Sequence, residues 1–135
     1  MIAPFIGVTA LAAAIQFVYY CRSTLAVARN IEPSPQVMRV VGFESRNPDP
    51  ADFQRLLELA HLCPEHGKDA ARTRAVTIYY RVLEVIGYFS RPVMPGISAW
   101  VNREQQACSH FAALVLDRRI SSSRDLFLQQ STNRL

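Results

Sequence analysis

Two short stretches of this chain hold residue types that could do chemistry. One is His61-Leu62-Cys63-Pro64-Glu65-His66 and the other Cys108-Ser109-His110, so all three histidines lie within three residues of a cysteine. Thiolates and imidazoles are the ligands of tetrahedral zinc, and a set drawn from His61, Cys63, His66 and Cys108 would suffice for one ion. Helical geometry disfavours the simplest version. Residues i and i+2 point about 200° apart on a 3.6-residue period. That separates Cys108 from His110, and His61 from Cys63 unless the helix frays before Pro64. The plainer reading makes Cys63 and Cys108 small buried hydrophobes and the histidines surface or capping groups. No cofactor is therefore expected, with zinc as the alternative.

Enzymatic motifs are equally thin. Glu58-Leu59-Ala60-His61 matches the Glu-x-x-His pattern of carboxylate di-iron bundles, which need a second such motif and two further helical carboxylates. Glu84 and Glu104 are available, but Ala107, not an acid, stands three residues before His110. A cysteine nucleophile calls for an exposed, electropositive setting with a base nearby. Pro64 puts Cys63 at a helix end, where the negative pole of the helix dipole opposes a thiolate. The five glycines are all separated from one another and form no phosphate-cradling loop. The expected function is non-enzymatic.

The elements that would position these residues all read as helices. The most prominent is Met1 to Tyr20, MIAPFIGVTALAAAIQFVYY, which carries no charge and only Thr9 and Gln16 as clear polar interruptions. At about 1.5 Å per residue it reaches roughly 30 Å, the thickness of a bilayer's hydrocarbon core. Tyr19 and Tyr20, then Arg22 and Arg29, suit the membrane interface that follows. A cleaved signal peptide would begin with Lys or Arg, and none precedes Arg22. A buried helix of a soluble bundle is the stronger rival, and a surface-lying amphipathic helix lacks the polar face it needs. The reading adopted is a transmembrane anchor. Within it Ala3, Gly7, Ala10 and Ala14 place small residues on one face, where another membrane helix can approach. Cys21 stands where juxtamembrane cysteines are sometimes acylated, although a small apolar residue at a helix end explains it as well.

The formal charge is +4, from fourteen Arg, one Lys and eleven acids. That Arg excess fits a GC-rich genome, and the arginines are scattered except for Arg118-Arg119, so the basic stripe of a nucleic-acid binder is missing. Arg22 and Arg29 following the span place the remainder of the chain in the cytoplasm by the positive-inside rule. Thiols there stay reduced, and three scattered cysteines make no disulfide framework.

Four prolines between residues 30 and 50 mark a connector. One short helix is predicted inside it, Pro35 to Val41, capped by Ser34 and stopped by Gly42; an exposed loop follows from Glu44 to Asp49. Asp49 then caps a helix whose stripe is Phe53, Leu56, Leu57 and Ala60, ending before Pro64. A long helix is predicted from Asp69 to Arg91. Ile78, Val82, Val85, Ile86 and Phe89 form one apolar stripe, and Val76, Tyr79 and Leu83 widen it nearly all round, which would make this helix the centre of the bundle. Tyr80 and Tyr88 stand at the rim. After the Pro95-Gly96 turn comes a helix from Ile97 to Arg119, with Val101, Cys108, Phe111, Ala112 and Val115 inward. Ser121 to Ser123 cap a last short helix, Arg124 to Gln130. Trp100 and Tyr80 are candidate anchors for a partner interface, with burial in the chain's own core as the alternative.

The sequence thus reads as all-α: a single transmembrane helix followed by a small bundle of about three to five helices. Residues 1–29 form the anchor and its extension, 30–50 the connector, 51–130 a cytoplasmic helical domain and 131–135 a frayed tail. The function expected of such a chain is that of a membrane-anchored accessory or scaffold subunit. Its partners would be the lipid bilayer and other membrane-protein subunits, with no role for nucleic acid. The alternative is a metal- or thiol-based redox module built on Cys63, His66 and Cys108.

Overall fold

The computed structural model describes residues 2–41, 50–64 and 67–134. They form the helices α1 (Ile2–Arg29), α2 (Pro35–Val41), α3 (Pro50–His61), α4 (Gly67–Ser90) and α5 (Pro95–Thr132), and no strand occurs among the described residues. The all-α reading holds. The proposed capping and stop residues Asp49 and Gly42, and the loop from Glu44 to Asp49, lie outside the described residues.

The spine is α5, 38 residues and so about 57 Å long. Pro95 opens it at the first helical position, where its missing N–H is no loss. Its inner stripe, Val101, Cys108, Phe111, Ala112 and Val115, is buried as the periodicity predicts. The expected stop at Arg119 does not occur. Ser122 and Ser123 turn their hydroxyls back to the carbonyls of Arg118 and Arg119, four residues earlier, and the helix runs on. A serine capping the next helix would have had to leave helical geometry, whereas this back-bonding lets it stay inside.

α3 docks on α5 through Phe53, Leu56 and Ala60, with Leu57 half-buried beside them. At its C-terminal end the Ala60 carbonyl accepts the Cys63 N–H at 3.2 Å and, beside it, a hydrogen bond from the buried Arg119 guanidinium. Arg119 therefore serves the end of α3 rather than the end of its own helix. The connector is pinned in a similar way. Ser34 directs both its backbone N–H and its hydroxyl to the Asp117 carboxylate, at 3.3 and 2.6 Å, and α2 follows over the predicted range.

α4 is not the centre of the bundle, a place α5 takes, and only part of its broad apolar surface is covered. Val76, Tyr79, Tyr80 and Leu83 are buried, while Ile78, Val82, Val85, Ile86 and Phe89 are exposed, Phe89 to 69%. Tyr80, expected at the rim and as a partner anchor, is instead 1% exposed and stacks on Phe53 at a ring separation of 4.1 Å. The physical reason is the size of the inner face. Two tyrosine rings fill the space against α3 and α5, and Gly87 continues their stripe where the helices close up. A Cβ at Gly87 would meet Val101 Cγ1 at 3.2 Å.

α1 belongs to the bundle only in its second half. Cys21, Leu25 and Ala28 are buried and Phe17 and Val18 pack against the core, whereas residues 2–16 are all exposed. Cys21 lies against the Ala75 carbonyl, Arg22 beside Glu104, and residues between Tyr20 and Ile31 share a cavity wall with Asp69, Arg72 and Arg118. α1 therefore runs antiparallel to α4 and parallel to α5. Its bare first half points toward the α4–α5 turn.

Candidate functional site

Among the described residues suited to metal or thiol chemistry, the fold separates Cys108 from His61 and Cys63. Cys63, half-buried at the end of α3, shares the wall of a surface cavity with His61 and Arg74. Cys108 lies in the middle of α5, 0% exposed, and burial pushes its thiol up to about 12, with Glu104 and Cys21 adding to the effect. His110, half-buried on α5, is held below its ordinary 6.5 by burial and by the Arg29 guanidinium. Among the described residues no three of His, Cys, Asp and Glu are placed to hold a metal ion. His66 lies outside the described residues. All three cysteines are free thiols, and Cys21, wholly buried against Ala75, is closed to acylation.

The polar centre that the structure does assemble is at Glu104. This carboxylate, 5% exposed, accepts a hydrogen bond from the Tyr79 hydroxyl at 3.1 Å, and the Arg22 Nε lies 3.9 Å away. Burial beside the carboxylate raises the Tyr79 phenol well above its usual range, so it stays a donor. One residue from each of α1, α4 and α5 meets here, immediately below the apolar half of α1. The signal for it stands in the sequence. Glu104 falls on the apolar stripe of α5, three residues after Val101 and four before Cys108, and a charge on a buried stripe needs partners. Arg119 breaks the same stripe farther along.

Above this junction stands an apolar surface. α1 is the one helix among the described residues long and apolar enough to cross a membrane. Ile2, Phe5, Ile6, Val8, Leu11 and Ile15 are each at least 60% exposed, and nothing lies within 4 Å of where a Cβ on Gly7 would sit. The small-residue face of Ala3, Gly7, Ala10 and Ala14 is open as well. Where α1 meets the bundle, Tyr19 and Tyr20 are exposed, Arg22 is mostly so, and Arg29 follows on the surface. Between α1 and the other helices at this level is a cavity of about 270 Å³, with Tyr20, Ser23 and Thr24 on one side and Asp69, Arg72 and Arg118 on the other. Arg118 and Asp69 pair at 3.5 Å. Trp100 is half-buried against the core, leaving part of its ring on the surface.

No protein-family model, curated protein or solved structure matches the chain.

Proposed function

We propose that this protein is a single-pass, membrane-anchored accessory or scaffold subunit whose helical bundle docks onto a membrane complex or recruits a partner. The observation that carries the reading is the division of α1: residues 2–16 are bare and apolar, and Cys21, Leu25 and Ala28 of the same helix lie in the bundle core. A bare apolar helix of this length is stable in hydrocarbon and aggregation-prone in water. A helix continuous with the core holds the bundle at a set distance and orientation above the bilayer. A flexible tether would not, and fixed presentation is what a docking subunit needs. Arg22 and Arg29 at the exit favour the cytoplasmic side. The open face of Ala3, Gly7, Ala10 and Ala14 suits close approach of a helix from a membrane partner. Thiol or metal chemistry is the weaker reading, since Cys108 is shielded from solvent and held as the thiol at neutral pH.

Gentle detergent extraction from native membranes, with companions identified on a native gel, tests this reading. Migration within a larger assembly is expected. Extraction as a lone monomer would sink the subunit role, and release by salt or alkali without detergent would sink the anchor itself.

A further inference from the structure

The outer stripe of α4 does not end with α4. Val85, Ile86 and Phe89 continue around the turn into Val93, Met94 and Ile97 and line one open apolar groove at the tip of the α4–α5 hairpin. All six are exposed, Val93 to 71%. The helix of α4 is three-sided by its period: Val76, Tyr79, Tyr80 and Leu83 face the core, Arg81, Glu84 and Tyr88 lie on a second side, and the apolar stripe forms the third. From Val85 to Asn102 the chain carries a single charge, Arg91, in the turn.

Charge runs out along α1, α4 and α5 before the tip, at Arg22 and Arg103 on α1 and α5 and about 8 Å farther on, at Glu84, on α4. Arg22 on α1 meets Glu104 on α5, Tyr79 on α4 joins them, and Arg81 and Glu84 follow within two turns. Beyond that collar α1 is apolar for twenty residues, and the hairpin tip projects on the same side. The nine residues from Glu104 back to Pro95 place the tip about 14 Å past the collar, less than half the hydrocarbon thickness.

We propose that the hairpin tip, Val85 to Ile97, inserts into the same bilayer leaflet that α1 enters, giving the bundle two attachments to lipid. The inference rests on α1 being the anchor. A medium that covers residues 2–16 of α1 begins about 9 Å past the collar, short of the tip at about 14 Å, and so meets the tip as well. Lipid matches the charge pattern, because the tip has no acid and its one cation, Arg91, can extend to anionic headgroups while its stem stays in apolar surroundings. Interfacial apolar faces bury to a depth of about 5–10 Å, within the reach of this tip. Two attachments would remove the bundle's freedom to swivel about α1.

The test uses the full chain in vesicles of phosphatidylcholine and phosphatidylglycerol, in a Cys63→Ser background that leaves only the buried Cys21 and Cys108. An environment-sensitive fluorophore is attached after Val93→Cys, Phe89→Cys, Ile6→Cys or Glu58→Cys, one at a time, and quenched by lipids spin-labelled near the headgroup or deep in the chain. The labels at 93 and 89 should be blue-shifted and quenched several-fold more strongly than at 58, chiefly by the shallow quencher. The label at 6, about 24 Å past Arg22 and so beyond the bilayer midplane, should be blue-shifted and quenched as well. A label at 6 that is quenched while those at 93 and 89 emit as in water overturns the insertion and leaves the anchor standing. Labels at 93 and 89 that are blue-shifted but insensitive to both quenchers overturn it in favour of protein covering the tip. Failure at position 6 as well as at 93 overturns the anchor and the insertion together.

Discussion

Glu104 is a buried carboxylate, and the two partners Arg22 and Tyr79 hold it unequally. Arg22 is mostly exposed and 3.9 Å away, so solvent screens it, and such a pair contributes at most about 1 kcal/mol. The Tyr79 hydroxyl is buried with the carboxylate, where a hydrogen bond to a charged acceptor contributes about 1.5–3 kcal/mol. Tyr79→Phe should therefore lower stability by about 1.5–3 kcal/mol, and Arg22→Ala by less, in denaturant unfolding of the detergent-solubilised chain. Equal losses would mean that Arg22 holds the carboxylate. A second residue sets a pH dependence. His110 takes up its proton less readily when folded, because of burial and then Arg29, so the unfolded chain binds that proton first as pH falls. The corresponding stability is present above pH 6.5, the ordinary histidine value, and is lost as pH drops below it. His110→Gln should flatten the melting temperature between neutral pH and pH about 5; an unchanged slope would assign the acid sensitivity elsewhere.

At the scale of elements, α4 separates hydrophobicity from burial. Val82 and Leu83 are neighbours of similar apolar character, yet Val82 is 43% exposed and Leu83 is 0%. Removing buried methylenes leaves a cavity, so Leu83→Ala should cost about 2–5 kcal/mol. Val82→Ser should stay within about 0.5 kcal/mol, as surface changes do. A reversal of that order would put the other stripe against α5. The periodicity of α4 could not choose between its two apolar stripes, because Val76, Tyr79, Tyr80 and Leu83 repeat as regularly as Ile78, Val82, Val85, Ile86 and Phe89. Only the partners Phe53 on α3 and Val101 on α5 distinguish them.

For the whole molecule, α1 joins two environments, and its two halves should respond differently to truncation. Deleting residues 2–16 removes no buried side chain and should leave a folded bundle with its α-helical circular dichroism and cooperative melting retained. The same deletion should weaken membrane association, to whatever level the hairpin tip can sustain. Deleting through Arg29 also removes Cys21, Leu25 and Ala28, uncovering α4 and α5, and should abolish cooperative unfolding. If the longer deletion melts like the shorter one, the second half of α1 is not part of the core.

By itself the sequence determined what depends on local rules. Pro35 and Pro50 open helices, Pro64 and Pro92 follow helix ends, and the uncharged run before Arg22 is long enough to span a bilayer, because backbone sterics and transfer free energies act residue by residue. The stripe of α3 and the inner face of α5 were legible for the same reason, since each has only one apolar side to bury. Tertiary structure decided what depends on partners. It turned Tyr80 inward to stack on Phe53 and set Arg119 on the end of α3. It also buried the second half of α1 and set Cys108 in the core, away from His61 and Cys63. Each of those outcomes rests on a contact between residues far apart in the chain, which periodicity and spacing along one helix do not encode.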